Sequence, residues 1–119
     1  MGHFASGVTI MTTTASGRMH GMTVSAFAIN ILGEHGEGTA RFFADNARLK
    51  GPEFVEGAYH LGVSGAPLLN EASAYLEATV DSTLEAGDHS IVVGRVTALE
   101  VRRDAEPLIY YRSGYRRLG

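Results

Sequence analysis

The chain has 119 residues, 45% hydrophobic and 19% charged, with a net charge of −3. That suits one folded domain and gives no global attraction for nucleic acid or an anionic membrane. There is no cysteine, which excludes disulfides and cysteine-ligated metal or iron–sulfur sites and suits a reducing cytoplasm. No apolar run is long enough to span a bilayer, and the opening MGHFASGVTI lacks the basic and apolar regions of a signal peptide.

Val8 to Thr14 reads as a strand closed by the turn-like Ala15-Ser16-Gly17-Arg18, and Met19 to Phe27 as its hairpin partner. Ala28 to Leu32 is a second β-prone run. No turn residue separates it from the first, so Phe27–Ala28 is either the middle of one strand or a junction from which something is missing. Gly33-Glu34-His35-Gly36-Glu37-Gly38 follows. It is not a phosphate loop: the spacing is not G-x-G-x-x-G, no Gly-Lys-Ser/Thr occurs, and two glutamates repel phosphate. A plain turn is the favoured reading.

Thr39 is placed to cap a short helix running to about Arg48, with Ala40, Phe43, Ala44 and Ala47 on one face. Gly51 to Pro67 is irregular, with a short strand near His60–Val63. From Ser73 to Glu85 apolar residues fall on even positions and polar ones on odd positions, which predicts a strand with one buried face. Ala86-Gly87-Asp88 turns the chain, Ser90 to Val101 returns as a strand, Pro107 to Tyr111 is the last strand and Ser113-Gly114 the last turn. Many short strands with one or two short helices predict a mainly β fold of the α+β kind, a barrel or a sandwich.

Conventional catalytic constellations are absent. The five histidines show no metal-ligand spacing, and Ser64 in Gly62-Val63-Ser64-Gly65-Ala66 does not make a nucleophile elbow. Tyr110-Tyr111-Arg112-Ser113-Gly114-Tyr115-Arg116-Arg117 mixes aromatics with arginines. That suits stacking on a flat ring or on single-stranded nucleic acid, and equally a tail packed on the fold or on a partner subunit. The remaining options are a binding module, or an enzyme whose chemistry belongs to a cofactor.

Five stretches, in order and together covering essentially the whole chain, resemble the flavin reductase-like family. Phe4 to Thr13 is similar to its "FASGVTVVTT", Gly17 to Phe27 to "GRxHGMTVSAF", and Ala28 to Leu32 to "FAVNVL". Ala86 to Val96 is similar to "GDHxIxxGxV", and Pro107 to Tyr115 to "PLLYYRGxY". The resemblance implies a Greek-key-like split β-barrel that binds flavin as a homodimer, with the flavin near the subunit interface. It implies oxidation of NADH or NADPH, reduction of FMN or FAD, and delivery of reduced flavin to the oxygenase of a two-component monooxygenase. A flavin-binding protein without reductase activity is the alternative. A nucleic-acid-binding barrel is disfavoured by the acidic charge.

The same resemblance assigns residues. Thr23, Val24, Ser25 and Ala26 match the segment that lines the flavin. His89 matches the "GDH" histidine and is expected to act catalytically in nicotinamide binding. Arg112 and Tyr115 match a tail that closes over the site, and Asn30 is read as structural. In the family, further strands and a short helix lie between "TVSAF" and "FAVNVL", roughly 30 residues at usual element lengths. That stretch carries the Ser and Thr residues that hold flavin phosphate. The expectation is therefore a single domain over 1–119, lacking residues before Met1 and near Phe27/Ala28, with no assignable phosphate ligands.

Overall fold

The structure, a computed structural model, describes residues 4–16, 23–44 and 59–118. Its main sheet is antiparallel in the order β2-β3-β6-β7, formed by Thr9–Ser16, Thr23–Leu32, Ala72–Ala86 and His89–Val101. A small sheet of β1 (Ser6–Gly7), β8 (Ile109–Tyr111) and β9 (Gly114–Arg116) lies beside it. A third joins β4 (Tyr59–Leu61) to β5 (Pro67–Leu69). None of the three sheets closes on itself among the described residues.

β3 runs unbroken through Phe27–Ala28. The alternation stays in phase across that point, with Ala26, Ala28, Asn30 and Leu32 all turned inward and buried. β2 answers it: Thr12 lies opposite Ala28 and is buried, while its neighbour Met11 is exposed. Period-two patterning without a turn residue is sufficient for one strand.

After β3 the expected plain turn is a 3-10 turn, Glu34–Gly36, leading straight into α1 (Glu37–Ala44). The helix therefore starts two residues before Thr39. That residue does not cap it; its hydroxyl instead donates to the Glu71 carboxylate at 2.5 Å. Ala40 is buried as expected and Phe43 half-buried, but Ala44 is exposed. The expected continuation to Arg48, with Ala47, lies outside the described residues.

The single buried face expected of Ser73–Glu85 is not what forms. The first half of β6 is covered on both faces: Ala72, Ser73, Glu77 and Ala78 are all buried. From Asp81 to Ala86 every residue is exposed, Leu84 included. The register with β7 explains this, since the hairpin outruns its neighbours: β3 pairs with β6 only as far as Thr79. Extra residues at Asp81 on β6 and Thr97 on β7 form bulges that bend the ribbon. The radius of gyration, 15.1 Å, exceeds the roughly 13.5 Å of a compact domain this long, in keeping with a projecting arm.

β5 and β9 are strands where irregular chain and a turn were expected. β5 is held by side chains rather than by a long ladder. Thr12 donates its hydroxyl to Pro67 O, and the Asn30 amide donates to Ile10 O at 3.0 Å and to Thr12 Oγ1 at 3.1 Å. Asn30 Oδ1 in turn accepts the Leu69 N–H at 2.9 Å. Glu77, opposite Ala28, accepts the Ser64 N–H at 3.0 Å and the Ser64 hydroxyl at 2.6 Å, which pins the turn into β5. The apolar core is small and alanine-rich. One cluster is Ala28, Ala66 and Leu68 with Tyr75; the other is Leu32, Ala40 and Leu108 with Val8, Ile10 and Tyr115.

Candidate functional site

The N-terminal end of β3 has an open side. β2 pairs with it out to Thr23, but Thr14 lies opposite Ala26 and Ala15 opposite Val24, so Ser25 is the extra residue of a bulge. On the other side the ladder to β6 begins only at Ala26, opposite Thr79. The outward backbone groups of Thr23–Ser25 are therefore not paired with β6. Ala26 is buried, while Ser25 is exposed, its hydroxyl 3.5 Å from Thr14 O and weakly engaged. A small bulged strand end whose backbone donors are not paired with β6 and whose hydroxyl is only weakly engaged can receive the heteroatom edge of a flat ring.

His89 stands at the tip of the β6–β7 arm. Gly87, at φ 65°, opens the two-residue turn with a left-handed backbone that favours glycine, and Ala86 pairs with His89. The imidazole is exposed, with Nε2 3.4 Å from Asp88 Oδ1. Seven residues of β6 separate the level of Ala26 from that of His89, on the order of 20 Å along the strand.

Arg112 and Tyr115 belong to the β8–β9 hairpin, whose turn residues Arg112 (φ 50°) and Ser113 (φ 59°) are both left-handed. The Arg112 guanidinium lies 5.7 Å from the Tyr111 ring centroid. Tyr115 packs into the Leu32 cluster at the far end of β3. Its ring meets Tyr110 edge-to-face at 5.4 Å, and Arg41 lies over its face at 4.9 Å. Thus Thr23–Ala26 are contiguous, but one copy of the chain does not bring His89, Arg112 or Tyr115 to them. Asn30 is structural, buried and fully bonded.

Sequence reasoning missed Arg41 and Tyr110 as partners of Tyr115, because the link is between a helix and a hairpin far apart in the chain. Glu77 and Thr12 were also missed. The available signal was a carboxylate at an odd position of β6, flanked by Leu76 and Ala78. One pKa is moved: the Tyr75 phenol lies above its ordinary value of 10.0, first through burial, then through its hydrogen bond to Glu100 and the charges of Glu100 and Glu77, with Arg102 opposing. No group of three or more His, Asp or Glu suited to a metal occurs among the described residues.

A sequence model of the flavin reductase like domain matches residues 25–119. The chain belongs to that family. This flavin reductase-like chain is 34% identical over 89 residues to a flavin reductase of Pseudomonas putida, covering 75% of the chain and 51% of the relative; it spans about half that relative's length. It is 34% identical over 145 residues to the reductase component of a 4-nitrophenol 4-monooxygenase/4-nitrocatechol 2-monooxygenase of Rhodococcus opacus, covering 97% of the chain and 76% of the relative. The mainly β fold is that of the NADH:FAD oxidoreductase SgcE6 of Streptomyces globisporus C-1027, solved with NAD and FAD fragments. The TM-score is 0.76 at 26% identity, over 99% of this chain and 88% of that one. The Rhodococcus opacus match spans 145 residues yet takes in only 97% of this chain's 119, so about 30 residues of that relative have no counterpart here.

Proposed function

We propose that the chain is an NAD(P)H:flavin oxidoreductase that reduces FMN or FAD and supplies reduced flavin to a separate monooxygenase component. The observation that carries this reading is the family match from Ser25 onward, which begins at the open, bulged end of β3. The flavin, when bound, supplies the redox chemistry, accepting a hydride from the nicotinamide. The donor set at Thr23–Ala26 fits such a ring. Backbone N–H groups not paired with β6 and the Ser25 hydroxyl would hold its polar edge. His89 would orient the nicotinamide as a hydrogen-bond donor, and Arg112 and Tyr115 would close over the site.

Because these groups are spread over one copy of the chain, we read the working form as a homodimer in which the second copy completes each site. Leu84, Ile91 and Val93 on one face of the β6–β7 arm, and Val92 and Val96 on the other, are exposed apolar residues suited to such an interface. The chain is read as a single domain over 1–119, shortened near Phe27/Ala28, and as cytoplasmic. No helix among the described residues is long and apolar enough to cross a membrane.

The test is NADH and NADPH oxidation by the purified chain with FMN, FAD or riboflavin added in turn. Flavin-dependent turnover is expected. Tight flavin binding without turnover would instead favour the non-reducing binder, and the roughly 30 residues missing relative to the Rhodococcus opacus protein give that reading its footing. His89→Ala should raise the nicotinamide KM several-fold and leave the fold intact; unchanged kinetics would remove His89 from the site.

A further inference from the structure

A second surface suited to a nucleotide lies at the opposite end of β3 from Thr23–Ala26. It is a groove of about 300 Å³ between the last turn of α1 and the β8–β9 hairpin, lined by Arg41, Ala44, Tyr110, Ser113, Gly114 and Tyr115. The ten residues of β3 put it roughly 30 Å from the ring-binding segment of the same copy.

Its walls are arranged as a stack. Tyr110 and Tyr115 are directly opposite each other across β8 and β9, so both rings rise from one face of the hairpin. The Arg41 guanidinium lies over the Tyr115 ring at 4.9 Å, and its Nε is held by the Glu37 carboxylate at 2.7 Å, one helical turn back. The Glu37 contact uses Nε only, and no other carboxylate among the described residues lies within 4 Å of this guanidinium. One face of the guanidinium rests on Tyr115, and its terminal N–H groups have no hydrogen-bond partner among the described residues. Tyr110 is 41% exposed beside it. The strained Arg112–Ser113 turn, which costs about 1–2 kcal/mol per left-handed non-glycine residue, sets Ser113 at the rim.

We propose that this groove binds an adenine nucleotide. The purine extends the Tyr115–Arg41 stack on the face of the guanidinium away from Tyr115, and a phosphate takes the terminal N–H groups of Arg41 and the Ser113 hydroxyl. Arginine planes stack on bases and fork onto phosphates, whereas a lysine supplies charge alone. The volume lies at the lower bound of small-molecule sites, which suits a ligand of nucleotide size. The inference rests on the proposed function only in its choice of a nucleotide; ADP is the shared chemistry of NAD(P)H, FAD and free adenylates.

The experiment is calorimetric titration of the full chain with ADP, adenosine and inorganic pyrophosphate, repeated on Arg41→Ala, Arg41→Lys and Tyr110→Ala. Arg41 is exposed on the helix surface, so its variants keep the fold. ADP is expected to bind at micromolar to sub-millimolar concentration, at least tenfold more weakly to Arg41→Ala and several-fold more weakly to Arg41→Lys and Tyr110→Ala. Adenosine and pyrophosphate should each bind more weakly than ADP. Competition by NADH or FAD would identify the dinucleotide that uses the groove; competition by neither would assign it to free adenylates. ADP binding that is absent or unchanged in Arg41→Ala overturns the proposal. FMN-dependent NADH oxidation, assayed in parallel, reports on the reductase reading separately: its absence with ADP binding intact removes that reading and leaves the groove.

Discussion

Replacing Asn30 with alanine removes the side chain that ties β2, β3 and β5 together. Asn30 is 0% exposed and makes three hydrogen bonds, to Ile10 O, to Thr12 Oγ1 and from the Leu69 N–H. Truncation leaves the buried Leu69 N–H without its acceptor, which costs about 1–3 kcal/mol. The vacated amide volume adds a cavity cost of about 1 kcal/mol or more. The sum, about 3 kcal/mol, is a large fraction of the 5–15 kcal/mol typical of a domain. With a urea slope of about 1–3 kcal/mol/M, it lowers the unfolding midpoint by roughly 1–3 M. Paired urea titrations of wild type and Asn30→Ala, followed by far-ultraviolet circular dichroism, measure it. A loss under about 1 kcal/mol would refute the claim that this network holds β5 on the sheet.

Ser73→Ala should behave oppositely. The Ser73 hydroxyl is buried and has no hydrogen-bond partner among the described residues, so its removal is expected to be neutral or stabilising by about 1 kcal/mol in the same titration. Ser113→Gly relieves a left-handed backbone at φ 59° and should raise stability by about 1 kcal/mol, read as a Tm rise of a few degrees. The raised Tyr75 pKa gives the folded state the tighter hold on the phenolic proton. Stability from this group is therefore complete below the ordinary tyrosine value and lost as pH climbs through the folded pKa. Tyr75→Phe should flatten that part of an alkaline denaturation profile, and an unaltered profile would assign the loss to other groups.

The sequence carried the strands well where periodicity was clean. β2, β6 and β7 lie within a few residues of their expected spans, the two runs on either side of Phe27–Ala28 are one strand, and the glycine at the Gly87 turn is where a left-handed residue is required. It misjudged which faces are buried along β6, because alternation reports only that a strand has two unlike sides. Whether other elements reach it depends on the ends of β3 and on the β4–β5 pair, which are set by pairing across dozens of residues. β5, Pro-Leu-Leu, is too short for a period to show; Asn30 and Thr12 hold it in place. Thr23–Ala26, proposed to line the ring, form one contiguous stretch of β3. The Tyr110–Tyr115–Arg41 grouping was not legible, since nothing in the spacing of residues 41 and 115 says that α1 docks on the last hairpin.

The long β6–β7 hairpin also sets an order of assembly. Its strands are joined by two residues, Gly87 and Asp88, so their pairing closes almost no loop, whereas β1 reaches its partner β8 across more than a hundred residues, Ser6 against Tyr110. β8 and β9 are themselves joined by only two residues, so within the small sheet the long loop closure falls on the β1–β8 pairing, which adds last and opens first. Backbone amides of β6 and β7 near Leu76 and Leu99 should outlast those of Gly7 and Ile109 in hydrogen exchange. The groove at Tyr110 thus sits on the part of the molecule that loosens most readily.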